Sequence, residues 1–130
     1  MIWIKGAVAA ISGVLAYLWG AWDALIIALI VCVVADYVTG IIKAAVNGEL
    51  SSGVGWRGLL KKVLIFVLVA VATVVDNLVP ATNGALRTAV IAFYIANEGL
   101  SILENAGALG LPMPAKLRNA LAKLRDDNDK

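Results

Sequence analysis

ALIIALIVCVVADYVTGII, residues 24–42, decides the fold class: of these nineteen residues eleven are Leu, Ile or Val, and Asp36 alone is charged. As a helix rising about 1.5 Å per residue the stretch reaches about 28 Å, close to the roughly 30 Å hydrocarbon core of a bilayer. On membrane-insertion scales each such apolar residue contributes about 0.3 to 0.6 kcal/mol, and an Asp at the helix centre opposes insertion by about 2.5 to 3.5 kcal/mol. Together the apolar residues favour insertion by roughly 3 to 6 kcal/mol, enough to carry Asp36 across. Asp23 precedes the run, where it can cap the first turn, and Lys43 marks the exit.

Working outward, residues 6–22 form another apolar run between Lys5 and Asp23, with a turn near Gly20, so the two runs make a tight helical hairpin. A Lys followed by an apolar run has the look of a secretory signal, but no small-residue cleavage site follows, and the run reads as a span. On the other side, the turn-rich stretch Asn47-Gly48-Glu49-Leu50-Ser51-Ser52-Gly53 leads to Trp56, Arg57, Lys61 and Lys62, an interfacial anchor in a basic loop. Residues 63–79 are the third span, with Asp76 near the far end and Pro80 closing it. The fourth, residues 85–103, is the weakest, since eight Leu, Ile, Val and Phe stand against Arg87, Asn97 and Glu98. Its insertion is close to balanced, or unfavourable, unless partners pair those groups. Residues 107–114 break the helix. From Ala115 onward Leu117, Ala120, Leu121 and Leu124 share one face beside Lys116, Arg118, Lys123 and Arg125, the pattern of a short amphipathic surface helix. Residues 126–130 are expected to be disordered.

The segments describe an all-α membrane protein with four transmembrane helices in hairpins and a short C-terminal amphipathic helix; three spans, with the fourth helix lying in the interface, is the competing arrangement. Residues 1–106 form the transmembrane domain and 107–130 a cytoplasmic amphipathic tail. With four spans, Lys5, the loop carrying Lys43, Arg57, Lys61 and Lys62, and the basic tail all fall on one side, leaving Arg87 opposite. The positive-inside rule then makes both termini cytoplasmic. Composition agrees: 62% of the 130 residues are hydrophobic and only 15% charged, against about 25% charged in soluble domains.

Small residues recur along three helices. Gly6, Ala9, Gly13, Ala16 and Gly20 alternate spacings of three and four; Ala24, Ala28, Cys32, Asp36, Gly40, Ala44 and Gly48 recur every four; so do Gly84, Thr88, Ala92 and Ala96. Lipid tails are as apolar as Leu, so helices associate in a bilayer through close backbone approach, which small seams permit. Seams of this kind hold one subunit's helices together, and that accounts for two of the three; the sharper reading turns at least one toward a neighbouring copy. A polar set forms the second feature. Asp36 and Asp76 lie within spans, and Tyr94, Asn97, Glu98, Ser101, Glu104 and Asn105 share an arc of roughly 120° on the fourth helix. Such a helix either lies on the membrane or lines water after assembly.

Several chemistries find no support. The net charge of +2 is small and dispersed, which argues against a nucleic-acid partner. Cys32 is a lone cysteine in an apolar run and reads as a packing residue; there is no His, and no cluster suggests a metal or other cofactor. No nucleophile-base pair is present, and the Gly53, Gly55, Gly58 stretch lacks the Lys-Ser/Thr ending of a phosphate-binding loop, so an enzyme is not expected.

Asp36-Tyr37-Val38-Thr39-Gly40, then Gly55-Trp56-Arg57-Gly58-Leu59-Leu60-Lys61-Lys62, then residues 93–105, FYIANEGLSILEN, and then Gly110-Leu111-Pro112-Met113-Pro114 follow in order over residues 36–121. In these blocks the chain resembles the toxin-secretion and phage-lysis holin family, the third block being the most specific. The resemblance implies a protein that collects in the bacterial cytoplasmic membrane, forms homo-oligomers and opens lesions for an endolysin or a large toxin, without needing to touch either. It transfers no catalytic residue. A small ion or solute transporter using Asp36 and Asp76, or an antiholin or membrane scaffold that opens nothing, are the rival readings.

Overall fold

The structure, a computed structural model, describes the backbone of residues 1–129 and the side chains of residues 1–126. Five α-helices follow one another: α1 (Ile2–Trp19), α2 (Ala24–Val46), α3 (Ser52–Leu78), α4 (Ala85–Ala108) and α5 (Ala115–Asp129), with a 3-10 turn at Pro80–Thr82 before α4. The first four are each long and apolar enough to cross a membrane.

Local chemistry sets the boundaries. Gly20 ends α1 with φ 78°, a left-handed conformation that disfavours a side chain. Asp23 caps α2, accepting from the Ile26 N–H at 3.1 Å. Gly48, at φ 71°, lets the Glu49 N–H return to the Ala44 carbonyl at 2.8 Å, so α2 closes at Val46, one turn past the expected exit. The largest difference from expectation is α3. Ser51 caps it through the Val54 N–H at 3.2 Å, so the segment carrying Trp56, Arg57, Lys61 and Lys62 is helix and not loop. Hydropathy marks where lipid begins, whereas a cap marks where helix begins, and here the two are eleven residues apart. At its other end α5 continues through residues 126–129, expected to be disordered, because no Gly or Pro follows Pro114 to stop the helix. Lys130 lies outside the described residues.

α4 is the hub. It packs against α2 most extensively, then α5 and α3, while α1 packs chiefly on α3. The core is built at helical spacing from Ile26, Leu29 and Val33 of α2, Ile65 and Val69 of α3, and Ile91 of α4. The periphery is just as apolar: Ile27, Val31, Leu64, Val67 and Val71 are exposed, while Asp36, Asp76, Glu98 and Asn105 are buried. That inversion of the usual arrangement in water fits a bundle whose solvent is lipid.

Two of the three small-residue seams are used inside the subunit. Ala92 and Ala96 are buried, Ala28 and Cys32 are half-buried, and a Cβ on Gly40 would lie 3.8 Å from the Asn105 side-chain nitrogen. The third is open along α1 itself, where no residue is buried and a Cβ at Gly6 or Gly13 would meet nothing within 4 Å; Gly20, just past the helix, is filled by Arg87. The amphipathic α5 folds back onto α4 instead of standing free on a surface. Glycines make that possible, since Leu121 seats where a Cβ on Gly99 would be, 2.9 Å away, and the Met113 sulfur does the same at Gly107, 3.3 Å away.

Candidate functional site

Two polar layers bracket the core. In the first, Lys62 reaches inward from α3 and places its ammonium between Asp36 of α2 and Glu98 of α4, donating to both Glu98 oxygens at 2.9 and 2.7 Å and to Asp36 Oδ2. The side chains of Lys62, Asp36 and Glu98 are 18%, 8% and 4% exposed, so these charges are satisfied by one another more than by water. Asn105 completes the layer: its Nδ2 donates to Asp36 Oδ1 at 3.1 Å and to the Thr39 hydroxyl at 2.9 Å, while that hydroxyl donates to the Ala35 carbonyl at 2.8 Å. Beside the network Tyr37 donates to the Gly55 carbonyl at 3.1 Å, its hydroxyl lying against Gly55 and its ring against Gly58. The glycines between Gly53 and Gly58 therefore include a seat for Tyr37.

The second layer is centred on Arg87. Its guanidinium donates from Nε to the Trp19 carbonyl at 2.7 Å, from Nη2 to the Ala21 carbonyl at 3.1 Å, and from Nη1 to Asp23 Oδ2 at 2.9 Å. A Cβ on Gly20 would stand 2.7 Å from that Nε, so glycine serves both the turn and the approach of Arg87. Hydrogen bonding to Arg87 holds the Asp23 carboxyl below its ordinary range, against a smaller opposing effect of burial. Asp76 caps α4 from the neighbouring helix. Its carboxylate accepts from the Arg87 N–H at 2.7 Å, the Leu86 N–H at 3.2 Å and the Thr82 hydroxyl at 2.6 Å, which α4 requires because Gly84 at its N-cap has no side chain. Trp19 Nε1 donates to the Phe66 carbonyl at 2.9 Å and Asn77 to the Tyr17 carbonyl at 3.2 Å, so α1 is fastened near its C-terminal end.

Of the residues singled out from the sequence, the structure brings Asp36, Glu98 and Asn105 together. Ser101 lines the clefts beside them, whereas Asp76 belongs to the opposite layer. The polar arc of α4 is divided: Glu98 and Asn105 are buried and Asn97 and Glu104 exposed. Trp56, Arg57 and Lys61 are exposed at the start of α3, but Lys62 is no interfacial anchor; it is the cation of the buried network. Two adjacent lysines on a helix point about 100° apart, and Lys62 shares the 62/65/69 face with the core residues Ile65 and Val69, a signal present in the sequence. Thr39 and Arg87 were legible only as polar residues, because their partners lie on other helices.

A bundle with an apolar exterior, four helices of spanning length and its charges paired inside is a multi-pass membrane protein. The chain belongs to the bacteriophage holin family, whose model matches residues 13–126. A relative described as a probable holin, from Bacillus phage phi105, is 41% identical over 114 residues, covering 88% of this chain and 83% of that protein. An uncharacterized 14.9 kDa protein in the nagH 3' region of Clostridium perfringens is 43% identical over 95% of this chain and 94% of its own length. The uncharacterized protein BH0965 of Halalkalibacterium halodurans is 39% identical over 98% and 97%. No solved structure matches the chain. Family and fold together support a holin role for this membrane protein.

Proposed function

We propose that this chain oligomerises in the bacterial cytoplasmic membrane and opens lesions through which an endolysin, or a large protein toxin, leaves the cytoplasm. Membership of the holin family across residues 13–126 carries the reading. Both termini and the tail from residue 107 face the cytoplasm, which gathers the basic residues other than Arg87 on one side.

In the single subunit Lys62 is paired within the bundle, and the open row of Gly6 and Gly13 on α1 offers a close-packing face to a neighbour. As copies gather, the Asp36, Lys62 and Glu98 groups exchange internal pairing for water, and the α4 arc from Asn97 to Asn105 becomes one wall of a shared lumen. A potential of 100 mV acts on a unit charge crossing the full membrane by about 2.3 kcal/mol, enough for depolarisation to favour that exchange. The cargo needs no contact with the chain.

Inducing the chain in bacteria with and without an endolysin, while following membrane potential, culture density and release of a folded cytoplasmic enzyme, tests the reading. The expected result is loss of potential followed by enzyme release, and abrupt lysis only with the endolysin. Leakage confined to small solutes marks a channel or transporter, and assembly without leakage marks an antiholin; either outcome refutes the lesion.

A further inference from the structure

A groove runs along the outside of the α3–α4 contact and changes chemistry along its length. At one end a cavity of about 400 Å³ is walled by Lys61, Asn97, Glu98 and Tyr94; it continues through Leu68 and Tyr94 into one of about 440 Å³ walled by Val71, Ala72, Ala89, Val90 and Phe93. Lys61, Leu64, Leu68 and Val71 are spaced to share one face of α3, as Val90, Phe93, Tyr94 and Asn97 are on α4, so two stripes face each other. Phe93 and Tyr94 meet edge to face with ring centres 5.0 Å apart, which stiffens the wall.

We infer that this groove binds one phospholipid, its phosphate held by Lys61 and Asn97 and one acyl chain lying along Leu68, Val71 and Phe93. Three observations name that occupant. Lys61 is exposed and, among the described residues, makes no ion pair, unlike its neighbour Lys62; Asn97 is likewise exposed and unpartnered. Both carboxylates at the polar end, Asp36 and Glu98, are taken up by Lys62, with the second Asp36 oxygen on Asn105, so neither competes for Lys61. The length also fits. From Lys61 to Val71 α3 rises about 15 Å and from Ala89 to Asn97 α4 rises about 12 Å, close to the depth of one leaflet in a hydrocarbon core of about 30 Å. The long Lys61 side chain carries its ammonium further toward the headgroups. The inference rests on membrane embedding and is independent of lesion formation.

Native mass spectrometry of the full chain released from detergent micelles, with either phosphatidylglycerol or dioleoylglycerol added, tests it. One phosphatidylglycerol per chain is expected to be retained and dioleoylglycerol is not. Lys61→Gln weakens retention about tenfold, the loss of one charge-assisted contact, and Ala89→Phe does so by filling the apolar end. Arg57→Gln, an exposed cation outside the groove, leaves retention unchanged, and circular dichroism checks that each variant stays helical. Equal loss in the Lys61 and Arg57 variants reduces the effect to surface charge and overturns the site. Equal retention of dioleoylglycerol overturns the phosphate contact, and dimers that exclude phosphatidylglycerol overturn the lipid by making the occupant a second copy.

Discussion

At the residue scale the decisive group is Lys62, one ammonium serving two carboxylates in surroundings that offer little water. Lys62→Met leaves Asp36 and Glu98 facing one another without a cation, and removing one member of a buried set costs about 3 to 5 kcal/mol. The expected outcome is a chain that unfolds at much lower denaturant in detergent, whereas Lys61→Met, exposed one position away, shifts the midpoint little. Asp23 lies at the other extreme. Its side chain is 41% exposed, so its pair with Arg87 is screened and contributes less than about 1 kcal/mol. Because its folded carboxyl titrates below the ordinary value of 3.8, this contribution is complete above that pH and is lost as pH falls through the folded value. Asp23→Asn is therefore slightly less stable than the parent at pH 7, and the gap closes below about pH 4; a gap that widens on acidification contradicts the pairing. Asp36 was legible because a carboxylate in an apolar run calls for a partner. The partner itself was hidden, since two lysines beside a Trp and an Arg read as interfacial until the helical phase that joins Lys62 to Ile65 is counted.

At the scale of elements, the spans were legible because period and apolar length are local properties; what was not legible is which face each helix turns to which neighbour. The glycines show the difference. Gly13 and Gly40 look alike in sequence, each within a row of small residues, yet Gly13 faces open space and Gly40 faces Asn105 of α4. Leu at position 13 therefore leaves the folded subunit intact and acts only where copies meet. Gly13→Leu is expected to insert and unfold like the parent while forming fewer cross-linked oligomers and lysing later. Gly40→Leu instead pushes α2 from α4 beside the Lys62 network and lowers the stability of the single subunit, by about 1 to 3 kcal/mol as for other overpacked cores. Parallel denaturation and cross-linking of the two variants separates these effects, and equal behaviour in both assays contradicts the division of the seams. The docking of α5 was illegible for the same reason: its amphipathic face is local, whereas the glycines that receive Leu121 and Met113 lie on another helix.

On the scale of the whole molecule, the two polar layers stand about 17 to 21 Å apart, since thirteen residues separate Asp23 from Asp36, fourteen Lys62 from Asp76 and eleven Arg87 from Glu98. The Arg87 layer lies at the helix ends, where loops can meet water, whereas α2, α3 and α4 each continue about ten residues, some 15 Å, past the Lys62 layer. The Lys62 layer is thus the one enclosed by helix on both sides, and its charges exist in the single subunit only by mutual pairing. Stability does not demand them, because a buried ion set replaced by neutral groups of similar size is often neutral or stabilising. Charges placed where a neutral core would hold equally well agree with the proposed second state, in which they are wet. The combined variant Asp36→Asn, Lys62→Met, Glu98→Gln is accordingly expected to be at least as stable as the parent in detergent, unlike Lys62→Met alone. It inserts and oligomerises normally but discharges the membrane late or not at all, because an opened lumen lined by neutral groups is poorly hydrated. Denaturation in detergent reads the first half and a potential-sensitive dye in induced cells the second. Normal timing of depolarisation in the neutral variant would leave the network a purely structural device and remove it from lesion opening.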